Sequence, residues 1–154
     1  MKKIFIVASV LLMCCMFMGC GVKAKLDGTW KSNNVYTSEY YEDVTRTDTR
    51  NITLTINKDG TFAQEAVHSV SYNSDSYKGY SETEKASGTW YYHDSDKVIL
   101  KTTHYEYKEE GDDEVYEVND TVYSLTDLVL VDDSLFIEID TELCEGVFEF
   151  TKAE

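Results

Sequence analysis

The chain has little of what several classes of protein require. Of its 154 residues none is proline and only 14 are Lys or Arg, against 29 Asp or Glu. The formal net charge of −15 repels nucleic acid and anionic lipid headgroups, and it favours cations and basic partners. The same charge also keeps an exposed protein soluble, which is the simpler interpretation. We therefore expect no nucleic-acid partner.

Cysteine and histidine are too sparse for the usual metal sites. Only Cys144 lies beyond residue 20, so the domain there can form neither an internal disulfide nor a cysteine metal cluster. Glu142 and Glu145 disfavour a thiolate beside them, which favours a structural role for Cys144. The histidines form no His-x-His or His-x-x-x-His pair; they are His68, His93 and His104. The sequence predicts no metal site of this kind.

Catalytic motifs are also missing. No serine lies in a Gly-x-Ser-x-Gly elbow, and no glycine-rich phosphate loop is present. Acidic residues cluster at 109–114 and 94–96, but Val98 occupies the fifth position from Asp94, where an EF-hand loop needs an acid or amide. We interpret both clusters as solvated loops, with calcium binding as the alternative. We predict a protein that is not an enzyme and holds no cofactor.

The N-terminus has the composition of an export signal. Lys2 and Lys3 precede an apolar run, Ile4 to Met18, and Gly19 stands directly before Cys20. The run is short for a membrane span. A small residue followed by cysteine resembles the lipobox of bacterial lipoproteins, although that family usually carries Leu where this chain has Phe17.

The resemblance implies cleavage before Cys20, diacylglycerol on its thiol and acylation of the new amino terminus. Residues 1–19 would then be a signal peptide, 20–25 a lipidated cysteine with a short tether, and 26–154 the folded domain, with a side-chain charge of −17 after Lys2 and Lys3 are removed. The location would be extracytoplasmic, at the cell membrane or outer membrane, with the membrane as partner. An ordinary signal peptide or an uncleaved anchor is the alternative.

From Leu26 onward the pattern is typical of β-strands. Residues 51–56 alternate, with Ile52, Leu54 and Ile56 on one face, and Asn57-Lys58-Asp59-Gly60 predicts a tight turn. Further strands are predicted at 88–92, 98–100, 115–125 with a bulge at Asn119-Asp120, 128–131, 135–139 and 147–151, with a helical turn at 141–144 as an option. We predict an all-β fold, an antiparallel up-and-down barrel of roughly eight to ten strands.

Three short motifs resemble the lipocalin-like domains of bacterial lipoproteins. They are Gly28-x-Trp30 on the first strand, the turn Asp59-Gly60-Thr61-Phe62, and a later Gly88-Thr89-Trp90. The likeness covers most of residues 26–151. It implies a cup-shaped barrel in which Trp30 packs the closed floor.

Tyrosines suggest where such a cup would bind. All 12 lie beyond the signal, and we predict two Tyr-bearing loops, one after the first strand and one at 73–81. If the barrel is lipocalin-like, these loops would cover the open end and contact a sugar, peptide or planar small molecule. The candidate binding residues are Tyr36, Tyr40, Tyr41, Tyr77 and Tyr80. The alternative is that tyrosine is simply a favourable strand and surface residue.

The predicted interior is apolar at one end and less so at the other. Beyond the aliphatic positions, Gln64, Ala66, Thr102 and His104 are predicted to face inward, which is compatible with a shallow cup. Our leading hypothesis is therefore a lipid-anchored, non-catalytic barrel that binds a small or extended ligand. The alternatives are a filled barrel that contacts another envelope protein through acidic, Tyr-rich loops, and an inhibitor or immunity-type protein acting on a basic enzyme.

Overall fold

The structure, a computed structural model, describes residues 25–93, 97–141 and 144–153. It has eight strands: β1 (Gly28–Tyr41), β2 (Val44–Ile56), β3 (Thr61–Tyr72), β4 (Tyr80–Tyr92), β5 (Lys97–Glu109), β6 (Tyr116–Val131), β7 (Ser134–Thr141) and β8 (Cys144–Lys152). Each strand pairs antiparallel with the next, and β8 returns to β1, which closes the barrel. The predicted all-β, up-and-down barrel is confirmed.

One end of the barrel, the base, is filled by apolar side chains. It lies where β1 begins and where the turns at 57–60 and 132–133 connect neighbouring strands. The predicted alternation is correct here, since Ile52, Leu54 and Ile56 are all buried. The remaining core residues are Leu26, Trp30, Phe62, Trp90, Val98, Leu100, Leu128, Leu135, Ile137, Phe148 and Phe150.

Both tryptophans anchor backbone at the base. The Trp30 indole is 2% exposed and its Nε1 donates to the carbonyl of Leu26 at 2.8 Å. The Trp90 Nε1 donates to the carbonyl of Asn57 at 2.9 Å, at the turn between β2 and β3. The two Gly-Thr-Trp segments therefore have the same structural role, because each buries an indole ring whose N–H donates to a backbone carbonyl.

The opposite end of the barrel, the mouth, is less completely closed. The pairing of β8 with β1 consists of Trp30 with Lys152 and Lys31 with Thr151. The pairing of β6 with β7 stops at Leu128 and Ile137, although β6 continues through the twelve residues from Tyr116 to Asp127. In the described residues, closure removes the exposed sheet edges only near the base, because β7 and β8 are short.

A bulge separates the two halves of β5. Gly88 of β4 pairs with Thr102 and Ser87 pairs with His104, so Thr103 has no partner on β4. On the other side, Thr102 pairs with Ser124 and His104 with Asn119. This agrees with the bend predicted at Asn119-Asp120. A Cβ at Gly88 would overlap the carbonyl oxygen of Lys101, which explains the glycine at this position.

The bulge changes which residues of β5 face inward. On the base side the even-numbered Val98, Leu100 and Thr102 are inside, and beyond it Tyr105 and Tyr107 are. The prediction that His104 faces inward is therefore wrong. It assumed strict alternation across a position where the strand holds one extra residue.

The prediction of a tyrosine-bearing loop after the first strand is also wrong. Tyr36, Tyr40 and Tyr41 lie in β1, which pairs with β2 along nearly its whole length and turns only at 42–43. Threonine and tyrosine favour extended pairing even without an apolar face, so a polar segment became a long hairpin. The second loop exists over 73–79, and Tyr77 lies in it, but Tyr80 begins β4.

Candidate ligand-binding site

A cavity of about 980 Å³ occupies the barrel between the base and the mouth. Its floor is made by Ile52, Phe62, Leu100 and Ile137, which also belong to the base core. The cavity thus begins where the apolar filling ends. Its volume is at the upper end of the range that small-molecule sites occupy.

Most residues of the cavity wall carry a polar group. The groups that bear oxygen or nitrogen are Arg50, Gln64, His68, Glu82, Glu84, Thr102, Tyr105, Tyr107, Tyr123, Ser124, Thr126, Asp127 and Glu138. The remaining wall residues are Ala66, Val67, Ala86 and Leu125. The small alanines leave space that larger side chains would fill, and the polar groups offer directional contacts.

His68 stands between two carboxylates on neighbouring strands. Its Nε2 lies 3.1 Å from the Asp48 Oδ1, and its Nδ1 lies 3.5 Å from the Glu82 Oε2. An ionised carboxylate only accepts hydrogen bonds, so Nε2 carries the hydrogen that is donated to Asp48. In the neutral ring Nδ1 is then an acceptor, and it faces a second acceptor on Glu82.

This arrangement leaves two buried acceptors and one buried donor without partners. Among the described residues, four buried side-chain polar atoms lack a hydrogen-bond partner, and they include His68 Nδ1, Glu82 Oε2 and Arg46 Nε. The Glu82 side chain is nearly inaccessible, as the residue is 8% exposed. Either a second proton on the imidazole or an N–H donor from a bound molecule would satisfy Glu82 and relieve the conflict.

The Asp48 carboxylate holds the other side of His68. The guanidinium of Arg46 donates to the Asp48 Oδ1 at 2.6 Å. Burial would raise the pKa of Asp48, but the hydrogen bonds from Arg46 and His68 outweigh it and the pKa is lowered. Asp48 therefore stays ionised and fixes the orientation of the imidazole ring.

Glu84 and Tyr105 form a second pair on the cavity wall. Burial raises the pKa of Glu84, Glu82 adds to the effect, and the hydrogen bond from Tyr105 and the charge of Arg50 oppose it. The pKa of Tyr105 is raised by burial and then by Glu84, so the phenol remains a donor. Its ring stacks on that of Tyr123 with centroids 4.9 Å apart and an interplanar angle of 19°.

The phenol of Tyr107 donates toward the carboxylate of Glu82. Burial and the charges of Glu82 and Glu109 raise the pKa of Tyr107 to about 12. A phenol with so high a pKa stays protonated and donates. The Oε2 of Glu82 nevertheless has no hydrogen-bond partner in the described residues.

The tyrosines predicted as binding residues do not line this cavity. Tyr40 and Tyr77 come together with Tyr72 at the mouth, with ring centroids 5.1 to 5.5 Å apart. Tyr36 and Tyr41 point to solvent, at 69% and 60% exposed. Tyr80 packs edge-on against His68, with centroids 6.0 Å apart.

Of the predicted inward positions, Gln64, Ala66 and Thr102 line the cavity, and His104 does not. His104 instead lies outside the wall, where Nε2 is 2.8 Å from Glu106 and Nδ1 is 2.6 Å from Asn119. The hydrogen bond with Glu106, followed by that with Asn119, raises the pKa of His104. Cys20, the expected signal and the turn at 94–96 lie outside the described residues, as do residues 142 and 143 of the possible helical turn.

Sequence reasoning missed the residues that do line the wall. Glu82 and Glu84 have the same parity as Trp90 on β4, so alternation from Trp90 would have placed both inside. Tyr105 and Tyr107 required the bulge to be located first. Gly88 in the middle of a strand pattern was the available sign of it.

No family model, curated protein or solved structure matches this chain. In the part of the chain that the structure describes, no helix is long and apolar enough to cross a membrane. The same residues contain no group of three or more His, Cys, Asp or Glu side chains placed to hold a metal ion. The geometry of the cavity is therefore what an assignment has to rest on.

Proposed function

We propose that this chain is a lipid-anchored, non-catalytic binding protein of the cell envelope whose barrel takes a small ligand into the central cavity. The observation that supports binding is the cavity of about 980 Å³, with an apolar floor and a polar wall. A barrel that served only as a scaffold would gain stability from filling this space. The lipid anchor is supported by the export-type segment that ends at Gly19-Cys20.

The binding half of the proposal is tested with prodan, a neutral fluorescent dye whose emission shifts in apolar surroundings. Ala86→Phe should fill the cavity and weaken prodan binding by about tenfold or more, since the ring occupies the same space. Ala63→Phe is the matched control, because Ala63 lies on β3 but is exposed and does not line the cavity. Equal binding by both variants, or no binding by the unaltered protein, would contradict the proposal.

The anchor is tested in cells. Cys20→Ser should move the protein from the membrane to the soluble fraction or block its processing, since the serine hydroxyl does not accept the lipid. Unchanged partitioning into detergent would show that the chain is held at the membrane by another means.

A protein partner is the second candidate, and the exposed side of β1 favours it. Val35 is 62% exposed beside the exposed Tyr36 and Tyr41, on a strand whose far edge is unpaired in the described residues. A photo-crosslinking amino acid at position 36 should then give a discrete adduct in intact cells. The same group at exposed Lys85 serves as the control. Identical patterns from the two positions would remove this candidate.

A further inference from the structure

Glu82 is the most deeply buried charged side chain among the described residues, at 8% exposed. It lines the cavity, and its Oε2 has no hydrogen-bond donor. A buried carboxylate without a cation or a full set of donors is costly. In a binding protein, such a carboxylate marks the place where the ligand supplies the missing hydrogen-bond donor or positive charge.

Among the described residues, no Arg or Lys lies within ion-pair distance of Glu82, and its one such contact is with His68. Arg46 donates to Asp48, and its charge is shared with that carboxylate. Arg50 acts on Glu84, where it opposes the effect of burial. His68 donates through Nε2 to Asp48 and turns its other nitrogen toward Glu82. The carboxylate of Glu82 therefore has a phenol partner in Tyr107 and no committed cation.

The rest of the cavity wall has the same charge preference. Glu84 lies on the same face of β4 as Glu82, and Asp127 and Glu138 lie exposed at the rim where β6 and β7 separate. Against the buried Glu82 and the partly buried Glu84, the lining residues include one guanidinium, that of Arg50. The net charge of −15 adds a long-range field of the same sign, which draws cations toward the opening.

Aromatic rings complete the wall. Tyr105 and Tyr123 stack, and Tyr107 follows on the same strand face as Tyr105. Phenol rings pack against planar apolar groups, and their faces also attract cations. A ligand with a flat body and a charged nitrogen would contact both the tyrosine rings and the carboxylates of the wall.

We propose that the cavity selects organic ammonium cations that carry an aromatic body, with the ammonium N–H groups donating to Glu82. This inference rests on the proposed function, because it names the class of ligand that the cavity takes. The ammonium supplies the missing donor to Glu82 Oε2 and places one of its N–H groups near His68 Nδ1. The aromatic body lies among Tyr105, Tyr107 and Tyr123.

Three probes on one indole ring separate charge from shape. They are tryptamine, which is cationic, tryptophol, which is neutral, and indole-3-propionate, which is anionic. Ligand-observed NMR titration measures their affinities without interference from the protein's own tryptophans. We expect tryptamine to bind about tenfold or more tighter than tryptophol, since a charged hydrogen bond replaces a neutral one. Indole-3-propionate should bind most weakly.

Glu82→Gln tests the assigned contact. It should reduce the advantage of tryptamine over tryptophol to about threefold or less, and leave tryptophol binding unchanged. Glu65→Gln removes the same charge from an exposed position on β3 and is the matched control. It should keep the preference of the unaltered protein, because a distant exposed charge is screened. Thermal melting of each variant verifies that it is folded.

The outcomes distinguish this inference from the proposed function. Equal affinities for tryptamine and tryptophol would overturn the cation preference while leaving a binding cavity in place. Tightest binding by indole-3-propionate would mean that Arg50 dominates, and would also overturn it. Failure of all three probes, while prodan still binds, would reject the aromatic ammonium class. Failure of prodan as well would reject the proposed function itself.

Discussion

The two halves of the barrel interior differ in what they contribute. The base is packed with aliphatic and indole side chains, and both indole N–H groups are satisfied by backbone carbonyls. The half toward the mouth contains Arg50, His68, Glu82 and Glu84 around open space, and some of its buried polar atoms have no partner. The difference indicates that stability comes mainly from the base, while the half toward the mouth contributes less packing.

The largest effect is expected from removing a ring at the base. Trp30→Ala should lower the free energy of unfolding by about 3–5 kcal/mol, because it leaves a cavity and frees the carbonyl of Leu26. Urea unfolding measures it. Tyr36→Ala on the same strand, at a position 69% exposed, should change stability by about 0.5 kcal/mol or less. Similar losses from both would remove the contrast between base and surface.

The boundary between the halves depends on Gly88. Gly88→Ala should cost about 1–3 kcal/mol, since the added methyl group overlaps the carbonyl oxygen of Lys101 and the backbone has to move. Ser87→Ala, one residue away, should have little effect. Chemical shifts of Tyr105 and Tyr123 should change in the Gly88 variant, because their stacking depends on the bulge. Unaltered stability would show that β5 can move away without cost.

In the half toward the mouth, removing a charge should raise stability, whereas the two variants above lower it. Glu82→Gln should raise the free energy of unfolding by about 1 kcal/mol, because the amide can donate to His68 Nδ1 and no buried carboxylate remains unsatisfied. The same variant is expected to lose cation selectivity. A lower melting temperature would mean that Glu82 already has its donor, through a doubly protonated His68.

The smallest effect is a pH dependence from Glu84. Its raised pKa means that the native state binds more protons than the unfolded chain, so stability falls as pH rises above the ordinary value of 4.5. Asp48, with its lowered pKa, acts in the opposite sense, and its contribution is lost as pH falls below 3.8. Glu84→Gln should therefore flatten the decline of stability above pH 4.5 and leave the acid side unchanged. Urea unfolding at several pH values measures both.

The base could be predicted from the sequence because its signals are local. Ile52, Leu54 and Ile56 alternate within one strand, and the Asn57–Gly60 turn sets the register of the next. Neither signal depends on residues far along the chain. The same holds for Trp30, whose placement came from a short motif.

The cavity wall could not be predicted in the same way, because it depends on pairing between strands. The bulge at Thr103 is defined by partners on β4 and β6, and it decides whether His104 or Tyr105 faces the cavity. The polar stretch from Tyr36 to Arg50 became a hairpin because its backbone hydrogen bonds find partners across the turn at 42–43. Its threonine and tyrosine content favours strands, but the segment has no apolar alternation that would have located a strand within it.

The early separation of β6 from β7 bears on how large a ligand can be. Above Leu128 and Ile137 the two strands no longer pair, and the cavity reaches the slot between Asp127 and Glu138. A sealed cup admits only molecules that fit inside it entirely. A barrel that is open along one side sets no such limit on length. A long molecule can place its head group in the cavity while the rest of it passes out between the strands. The terminus of a polymer or the polar end of an amphiphile would then be read by the same pocket as a free small molecule.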